Sequence, residues 1–330
     1  IGKTGLSGPQ YVDDMTPLRV AIAGAGGIGR HHAKWHAYVG SEVVAALGQR
    51  PEQLPITRGQ LQELFGFHGR MYSDFGDLLR TERPDVVDIC APNDAHYDLA
   101  RQALAAGCHV LCEKPLVWGP SPERSLALAA DLHDRANSGG LHLGMCSQYA
   151  ASLKQYGRIC SSADPVNSSS FVAEMETLSR GQPRGAAEIW VDMGPHPLSL
   201  ILAVWPTATL LPKSLHVRFI DRTAEARFTI DSEGHRCDCR VKVRDCDEGP
   251  LTRRFAFDGH SVDLAGRASD DGTYRSVMIS EGLEDLDDDF MLLLIEQFTR
   301  VVSGEDLSSL VPSHVALRNL EFQASILASI

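Results

Sequence analysis

The sequence lacks long hydrophobic runs and is poor in positive charge. No stretch reaches the about 18 consecutive apolar residues that a membrane-spanning helix needs. Lys and Arg number 31 against 43 Asp and Glu, which gives a formal net charge of −12 at pH 7. Nucleic acids and anionic membrane surfaces are bound through clustered Lys and Arg. We therefore expect neither a nucleic acid nor a membrane as a partner.

The sequence also lacks the marks of export. Its first residues, IGKTGLSGPQYVDD, are polar and contain glycine, whereas a secretory signal has an apolar centre. We expect residues 1–16 to be a leader or an added segment outside the fold. The chain has eight cysteines, but 330 residues with 43% hydrophobic content can build a core without a disulfide framework. We therefore predict a reduced, cytoplasmic protein.

Two groups of residues have spacings that suggest metal ligands. Cys237 and Cys239 would lie on one face of a strand, but no second pair or nearby His accompanies them in the sequence. His31, His32 and His36 lie on one predicted helix, and no acid or Cys stands beside them. This favours a role in helix surface and packing. We therefore predict no metal site.

The first half of the chain alternates apolar, strand-like runs with helix-like segments. The predicted strands are 18–24, 42–47, 86–90, 109–112 and 141–148, and the predicted helices are 26–38, 58–66, 74–80, 93–107 and 121–136. Alternation at this spacing is typical of βαβ units and a parallel sheet. We therefore predict a doubly wound parallel sheet over residues 17–150.

Gly24, Gly26, Gly27 and Gly29 form a glycine-rich turn between the first predicted strand and the first predicted helix. The order G-x-G-x-x-G permits a tight turn, close approach of a pyrophosphate to the backbone, and close packing of helix on strand. The helix N-terminus, with Ile28 and Gly29, supplies amide groups for the phosphate charge. The turn therefore predicts a dinucleotide site that includes these five residues.

The tip of the second predicted strand bears on the choice of dinucleotide. An acid about 20 residues after the glycine turn would hold a ribose 2′-hydroxyl. Here the strand ends Leu47-Gly48-Gln49-Arg50, without an acid. Gln49 and Arg50 can accommodate a 2′-phosphate, because Arg matches phosphate geometry. This favours NADP over NAD, unless Arg50 is only a solvated loop residue.

A buried strand ends abruptly in charged residues within Val110–Gly119, VLCEKPLVWG. Two charges, Glu113 and Lys114, are costly at the mouth of an apolar strand unless they serve a purpose there. Ligands of a doubly wound sheet bind outside the carboxyl ends of its strands, where Lys114 emerges. A lysine in that place can hydrogen-bond a substrate oxygen or carry a proton during hydride transfer. We therefore predict that Lys114 is catalytic.

Three motifs of this sequence occur together in one known enzyme family. They are Pro92-Asn93-x-x-His96, Cys112-Glu113-Lys114-Pro115-Leu116 and Asp192-Met-Gly194-Pro-His196. With them the chain resembles the Gfo/Idh/MocA oxidoreductases, the relatives of glucose–fructose oxidoreductase and inositol dehydrogenase. The resemblance is dense over residues 17–150 and thins to scattered matches beyond.

The resemblance implies a Rossmann domain over residues 17–150 and an α+β domain over residues 151–330. The second domain would carry an open, mostly antiparallel sheet and serve substrate binding and oligomerisation. The residue pattern of the second half agrees, with strand-like alternation and one strongly apolar helix. The predicted strands are 171–177, 215–221, 225–231 and 239–245, and the predicted helix is 290–302.

The resemblance also implies further site residues. It extends the cofactor site to the segment after the fourth predicted strand and to the ends of the later strands: Ala91, Pro92, Asn93, His96, Glu113, Lys114 and Gln148. Gln148 ends the last predicted strand of the first domain. There it can reach the nicotinamide or the substrate, or it is a plain polar residue at a strand end.

Asp192 and His196 are the predicted partners of Lys114. On a helix inferred over 188–204, residues four apart lie on one face, and Pro195 and Pro197 suggest that this helix is distorted. His carries protons near neutral pH, and a carboxylate orients its ring. The resemblance implies the same acid–base roles. The alternative is that Asp192 only stabilises the helix and His196 is a core histidine.

Together these features predict an NAD(P)-dependent oxidoreductase that acts on a small polyhydroxylated or keto substrate such as a sugar or cyclitol. The alternatives are a redox-neutral or imine-reducing variant of the family, and a non-catalytic regulator that binds a dinucleotide. The proton-carrying residues count against the regulator. An open sheet leaves an exposed face that another subunit can cover, so we expect a homodimer or homotetramer.

Overall fold

The computed structural model describes residues 16–179, 181, 184–269, 273–308 and 310–330, so residues 1–15 of the predicted leader lie outside it. The described residues form two compact units. The first unit contains the residues up to Gly119 together with Ala127–Cys146 and Met291–Ser313; the second contains Pro120–Leu126, Ser147–Phe290 and His314–Ile330. The division at residue 150 stays a prediction.

The first unit contains a parallel sheet, as the alternating pattern predicts. Its six described strands follow the order β3-β2-β1-β4-β5-β6, which is the order of a Rossmann fold. The strands are β1 Arg19–Ala23, β2 Glu42–Leu47, β3 Arg70–Tyr72, β4 Val86–Ile89, β5 His109–Glu113 and β6 Leu143–Cys146. Strand β3 is absent from the sequence-based prediction, because three half-exposed residues are too few to show an apolar period.

Helices connect these strands, and one further helix returns from late in the chain. They are α1 Gly29–Tyr38, α2 Leu54–Phe65, α3 Phe75–Glu82, α4 His96–Ala105, α5 Pro122–Gly139 and α9 Phe290–Val302. The last of these has the predicted bounds. No helix in the described part of the chain has the length and apolar character needed to cross a membrane.

The central strands of this sheet are buried on both faces. Val20, Ala21 and Ile22 of β1 have no solvent exposure. A strand covered on both sides is a continuous apolar run rather than an alternating one. Asp88 of β4 departs from that rule, because it is a carboxylate with no exposure in the middle of an apolar strand. Burying such a group is costly without partners, so Asp88 marks a place where polar groups converge.

The second unit contains an open, mostly antiparallel sheet, as the resemblance implies. Its nine described strands run β15-β14-β13-β12-β7-β11-β10-β8, with β9 beside β10 and with β7 parallel to β11. The strands are β7 Ser170–Leu178, β8 Thr209–Leu210, β9 His216–Ile220, β10 Thr223–Ser232, β11 His235–Cys246, β12 Arg253–Phe257, β13 His260–Ala268, β14 Tyr274–Ser280 and β15 Leu283–Asp288.

The two faces of this sheet differ in character. Cys237 and Cys239 are buried on one face of β11, as strand alternation predicts. The outward residues of the sheet form cross-strand ion pairs, such as Lys242–Glu174 at 2.6 Å and Arg254–Asp263 at 2.8 Å. Charged side chains on a sheet oppose its association with other strands.

The remaining helices are α6 Leu153–Ile159, α7 Ala186–Met193, α8 Pro195–Val204 and α10 Ser313–Leu327. The prediction of one helix over 188–204 is wrong, since two helices meet at Gly194. Pro195 has no N–H to continue the hydrogen-bond ladder. A Cβ on Gly194 would lie 2.6 Å from the carbonyl oxygen of Trp190, so glycine is required at this junction. The predicted distortion is confirmed.

Candidate dinucleotide-binding and catalytic sites

The glycines of the turn between β1 and α1 have different structural roles. Gly24 has a φ of +105°, and a Cβ there would lie 2.7 Å from the amide nitrogen of Ala91. A Cβ on Gly29 would lie 2.4 Å from the carbonyl oxygen of Gly24, so this glycine permits close packing of α1. Gly26 has nothing within 4 Å of its Cβ position. It leaves open space through which a phosphate can approach the backbone.

A cavity of about 500 Å³ lies beside this turn in the first unit. Seven of the residues that the sequence predicts for the dinucleotide line it: Gly24, Gly26, Gly27, Gln49, Arg50, Ala91 and Pro92. The predicted residues Ile28, Gly29, Asn93, His96, Glu113, Lys114 and Gln148 are not among its lining residues. Pockets of this size are typical of sites for small molecules and cofactors.

Sequence reasoning missed several lining residues, among them Thr57, Ser73 and Phe75. Ser73 and Phe75 follow β3, the strand that sequence periodicity did not reveal. Gly48 at the tip of β2 donates a backbone hydrogen bond to the carbonyl of Tyr72, which brings the two strand ends together. The sequence did mark this segment, because Asp is a common residue at a helix start. In the structure Asp74 caps α3 by accepting a hydrogen bond from the amide of Asp77 at 2.7 Å.

The charge of this cavity bears on the ribose that it accepts. Among its described lining residues there is no Asp or Glu, and Arg50 is the charged one. Gln49 and Arg50 are exposed at the end of β2. An acid that binds the 2′-hydroxyl of NAD is therefore missing from this lining, while a cation suited to a 2′-phosphate is present.

The segment after β4 is held by a buried histidine. His96 has no exposure, and its Nδ1 and Nε2 lie 2.9 Å from the carbonyl oxygens of Pro115 and Ala91, respectively. Each ring nitrogen therefore lies within hydrogen-bond distance of a backbone carbonyl, and a nitrogen that carries a proton donates it. His96 joins the turn after β4 to the residue that follows Lys114. Asn93 begins the short helical turn Asn93–Ala95 before α4.

A buried hydrogen-bonded chain lies behind the ends of β4 and β5. The Oδ2 atom of Asp88 lies 2.8 Å from His32 Nδ1 and 2.9 Å from His36 Nε2. The other ring nitrogen of His32 lies 3.1 Å from Glu113 Oε1. The second carboxylate oxygen of Glu113 accepts the backbone N–H of Lys114 at 3.2 Å. The chain thus connects helix α1 to the backbone of the predicted catalytic lysine.

The charges of this cluster determine its protonation. Burial disfavours the imidazolium form of His32, but the negative groups around it, Asp88 foremost and then Cys90 and Cys146, together raise the pKa of His32 well above its usual value. Burial likewise opposes ionisation of Asp88, yet His32 and His36 lower its pKa. The two ring nitrogens of His32 thus face two carboxylates, and the raised pKa favours the imidazolium form that can donate to both. The thiol of Cys146 lies 3.8 Å from His32 Nε2, and burial raises its pKa to about 12.

The histidines of α1 were assigned to surface and packing because no acid or Cys stands near them in the sequence. His31 is exposed, but His32 and His36 are buried and have acidic partners. The partners were missed because Asp88 and Glu113 come from β4 and β5, 50 or more residues further along the chain. Asp88 and Glu113 are charged residues within otherwise apolar strands, and this was the sequence signal that they have buried partners.

Lys114 directly follows β5, at the carboxyl edge of the parallel sheet where the sequence places it. The residue is half-buried, and the Lys114–Pro115 peptide bond is cis. Ligands of such sheets bind at this edge. The position thus suits a side chain that meets a substrate.

His196 lies in the first turn of α8, in the second unit. It is 7% exposed, and its ring packs edge-on against Tyr149 at 4.9 Å between centroids. The hydroxyl of Ser147 donates to the carbonyl of Pro195 at 3.3 Å and lies 3.4 Å from His196 Nδ1. A hydroxyl that already donates can accept the Nδ1 proton. This arrangement favours the tautomer with a basic lone pair on Nε2.

Asp192, near the end of α7, has an arginine partner that the sequence did not suggest. Its Oδ2 atom lies 2.6 Å from Nη1 of Arg184, and its side chain is 36% exposed. Arg184 also holds the buried carboxylate of Asp245 through Nη2 and Nε, at 2.6 and 3.1 Å. Arg184 therefore connects α7 to β11 and fixes the position of Asp192.

Gln148 does not end a strand, because β6 ends at Cys146. It begins the short helical turn Gln148–Ser152 and belongs to the second unit. There it lines a small cavity of about 50 Å³ together with Tyr149, Arg253 and Tyr274. The prediction of a strand over 141–148 is wrong at its end, since Ser147 turns the backbone away from the sheet.

Comparisons with known proteins agree with this geometry. Residues 18–144 match the GFO_IDH_MocA model, described as an oxidoreductase family with an NAD-binding Rossmann fold. D-glucoside 3-dehydrogenase of Escherichia coli is 37% identical over 131 residues, or 36% of each chain. Inositol 2-dehydrogenase of Salmonella typhimurium is 36% identical over 104 residues, or 30% of this chain and 29% of that one. The matches thus span about a third of these relatives.

Solved structures resemble the chain over nearly its whole length. UDP-N-acetylglucosamine 3-dehydrogenase from Acidithiobacillus ferrooxidans has a TM-score of 0.72 at 18% identity, with 96% of this chain and 98% of that chain covered. An inositol dehydrogenase homologue from Azotobacter vinelandii, complexed with NADH and myo-inositol, has a TM-score of 0.70 at 16% identity, with 95% of each covered. At these identities the likeness shows a shared fold.

Proposed function

Because residues 18–144 match the NAD-binding Rossmann domain of the Gfo/Idh/MocA oxidoreductases, we propose that the chain is a member of that family and a nicotinamide-dependent dehydrogenase acting on a CH–OH group. The observation that carries the proposal is the glycine turn. Gly26 leaves open space beside a cavity of about 500 Å³, at the carboxyl edge of a 3-2-1-4-5-6 sheet. Backbone approach at such a turn is what a pyrophosphate requires.

The proposed substrate is a small polyhydroxylated molecule such as a sugar or a cyclitol. The support is the names of the relatives, which act on D-glucosides and inositol. A polyol offers several hydroxyl groups that polar side chains can orient. Two alternatives remain within the family resemblance: a redox-neutral reaction that recycles its cofactor, and reduction of an imine.

The nicotinamide, when bound, supplies the hydride chemistry, and the chain supplies the proton chemistry. We assign His196 as the group that takes the hydroxyl proton, because its Nδ1 contact with Ser147 favours a basic Nε2. Lys114 hydrogen-bonds the substrate oxygen and, together with His196, relays the proton that leaves it. Asp192, held by Arg184, keeps a negative charge near α8 that stabilises a protonated His196.

The proposed cofactor preference is NADP. Its support is the cavity lining, in which Arg50 is accompanied by the hydroxyl groups of Thr57 and Ser73 and by no acid among the described residues. Hydroxyl and guanidinium donors are the groups that bind a phosphate.

His96 is assigned a structural role in the turn after β4, because each of its ring nitrogens lies within hydrogen-bond distance of a backbone carbonyl.

The test is an absorbance assay for reduced cofactor, with NAD or NADP and a panel of sugars and cyclitols. We expect net reduction with at least one polyol. Lys114→Ala should lower the rate by a factor on the order of 10²–10⁴, the usual contribution of a positioned proton carrier. Lys213→Ala, at an exposed lysine of the second unit, should leave the rate unchanged.

Three outcomes would contradict the proposal. Dinucleotide binding without turnover on any polyol would favour a regulator. Substrate conversion without net cofactor reduction would favour the redox-neutral reaction. A parental rate for Lys114→Ala at saturating substrate would remove the lysine from the proton chemistry.

A further inference from the structure

The side chains around His32 form a mixed set of nitrogen, oxygen and sulfur donors. Nε2 of His32 lies 3.1 Å from Glu113 Oε1 and 3.8 Å from Cys146 Sγ, and these donor atoms all lie within 4.8 Å of one another. They come from α1, β5 and β6 of the first unit. We propose that His32, Glu113 and Cys146 form a binding site for a divalent metal ion of the zinc class.

The distances between the donors suit such an ion. Ligand bonds of about 2.0–2.3 Å in a tetrahedral site place nitrogen and oxygen donors about 3.3 Å apart, and nitrogen and sulfur donors about 3.6 Å apart. The separations of 3.1 and 3.8 Å differ from these values by only a few tenths of an ångström. The third pair of donors, on Glu113 and Cys146, lies within 4.8 Å, so side-chain rotation of Glu113 would close the site.

The second ring nitrogen of His32, Nδ1, has the kind of partner that a metal-binding histidine usually has. A ligating His usually donates its other ring N–H to a carboxylate, which fixes the ring and its tautomer. Asp88 provides that carboxylate at 2.8 Å from Nδ1, and His36 in turn binds Asp88 at 2.9 Å. Asp88 is thus occupied by two histidines, and this favours the Nε2 side of His32 as the metal-binding side.

Charge and donor type both select the ion. A neutral His32 with two anionic ligands, Glu113 and Cys146, carries a charge of −2 that a divalent cation neutralises. Two protons leave as the ion enters, one from the His32–Glu113 hydrogen bond and one from the thiol, so the net charge of the cluster is unchanged. A thiolate and an imidazole favour zinc over magnesium or calcium, which prefer oxygen ligands.

The site has an entrance and one remaining coordination position. The side chains of His32 and Asp88 have no exposure, whereas that of Glu113 is 14% exposed. An ion would therefore enter past Glu113, and a water molecule would complete the coordination on that side. Once bound, the ion would hold α1 and the ends of β5 and β6 together, next to Lys114.

The experiment is a cobalt titration of the full chain without dinucleotide or substrate, so that it does not depend on the proposed function. Cobalt replaces zinc in thiolate-containing sites and shows a charge-transfer band only when sulfur is a ligand. We expect one equivalent of Co²⁺ to produce this band and one equivalent of Zn²⁺ to abolish it. The protein as purified, after dialysis, should contain zinc by mass spectrometry.

Two variants and one control assign the ligands. Cys146→Ser should remove the charge-transfer band, and Glu113→Gln should weaken Co²⁺ binding by at least about tenfold. Cys108→Ser, at a buried cysteine of the same unit outside the cluster, should bind Co²⁺ like the parent protein. Circular dichroism of each variant confirms that it is folded.

Two results would overturn the proposal. One is a folded parent protein that binds no Co²⁺ or Zn²⁺ at micromolar concentrations. The other is a charge-transfer band that persists in Cys146→Ser, which would place the ion at another thiolate, for example with His32, Asp88 and Cys90. Either result would show that His32, Glu113 and Cys146 do not together bind the ion.

Discussion

Two glycines of one turn should respond to substitution in opposite ways. Gly26 has no atom within 4 Å of its Cβ position and lacks a positive φ, so Gly26→Val should change the free energy of unfolding by less than about 0.5 kcal/mol. The valine side chain would fill the space through which a pyrophosphate reaches the backbone. Loss of one charge-assisted hydrogen bond costs about 1.5–3 kcal/mol. The dissociation constant for the dinucleotide should therefore rise by about 10- to 150-fold.

Gly29→Ala should show the converse effect. Its Cβ would lie 2.4 Å from the carbonyl oxygen of Gly24 and 3.0 Å from the Cβ of Cys90, so backbone must shift. Overpacking of this kind costs about 1–3 kcal/mol, which should appear as a lower Tm of the protein without ligand. Calorimetric titration with NAD and NADP measures the affinity, and thermal unfolding followed by circular dichroism measures the stability. A parental affinity for Gly26→Val, or equal losses of Tm in both variants, would refute the reasoning.

Three further predictions concern the cofactor, the proton chemistry and the pH dependence of stability. Arg50→Ala should weaken NADP binding by about 1–3 kcal/mol and leave NAD binding nearly unchanged; equal losses in calorimetry would contradict a role at the 2′-phosphate. Lys114→Ala and His196→Ala should each slow single-turnover hydride transfer by about 10²–10⁴, and the double variant should lose much less than the product. Full additivity would show that the two residues act independently. Burial opposes ionisation of Glu176, but the amide of Thr252 at 2.7 Å and the guanidinium of Arg244 lower its pKa. Its stabilising effect is therefore complete above the unfolded pKa of about 4.3 and is lost as pH falls through the folded value. Glu176→Gln should be about 1–3 kcal/mol less stable at pH 7 in denaturant unfolding, with a gap that closes in acid; a constant gap would contradict the ion-pair account.

In the second unit, the spacing of apolar residues along the sequence predicted some elements of the structure and not others. Alternation predicted β7, β9, β10 and β11, because the residues of each strand alternate between a less exposed and a more exposed face. The junction between α7 and α8 was predicted as a distortion from its prolines. That the helix divides there depends also on the contact of Gly194 with Trp190, which a helical pattern does not display.

The sequence by itself determined the features that depend on neighbours along the chain. The glycine turn is one, because the order G-x-G-x-x-G lies within six consecutive residues and the φ of +105° at Gly24 is a local property. The parallel sheet is another, since strands buried on both faces must be apolar throughout. The end of β5 at Glu113 and Lys114 is a third, because the change from apolar to charged residues marks it directly.

Only the tertiary structure decided which distant residues meet. Strand order places Asp88 of β4 between two histidines of α1, and it brings Glu113 and Cys146 to the same imidazole. It also carries Ser73, after the unpredicted β3, to the dinucleotide cavity. No local pattern encodes these meetings, because adjacency in a parallel sheet joins strands that are separated along the chain by whole helices. Burial opposes the charge of each of these side chains, so polar groups buried at this place need partners such as the histidines around Asp88.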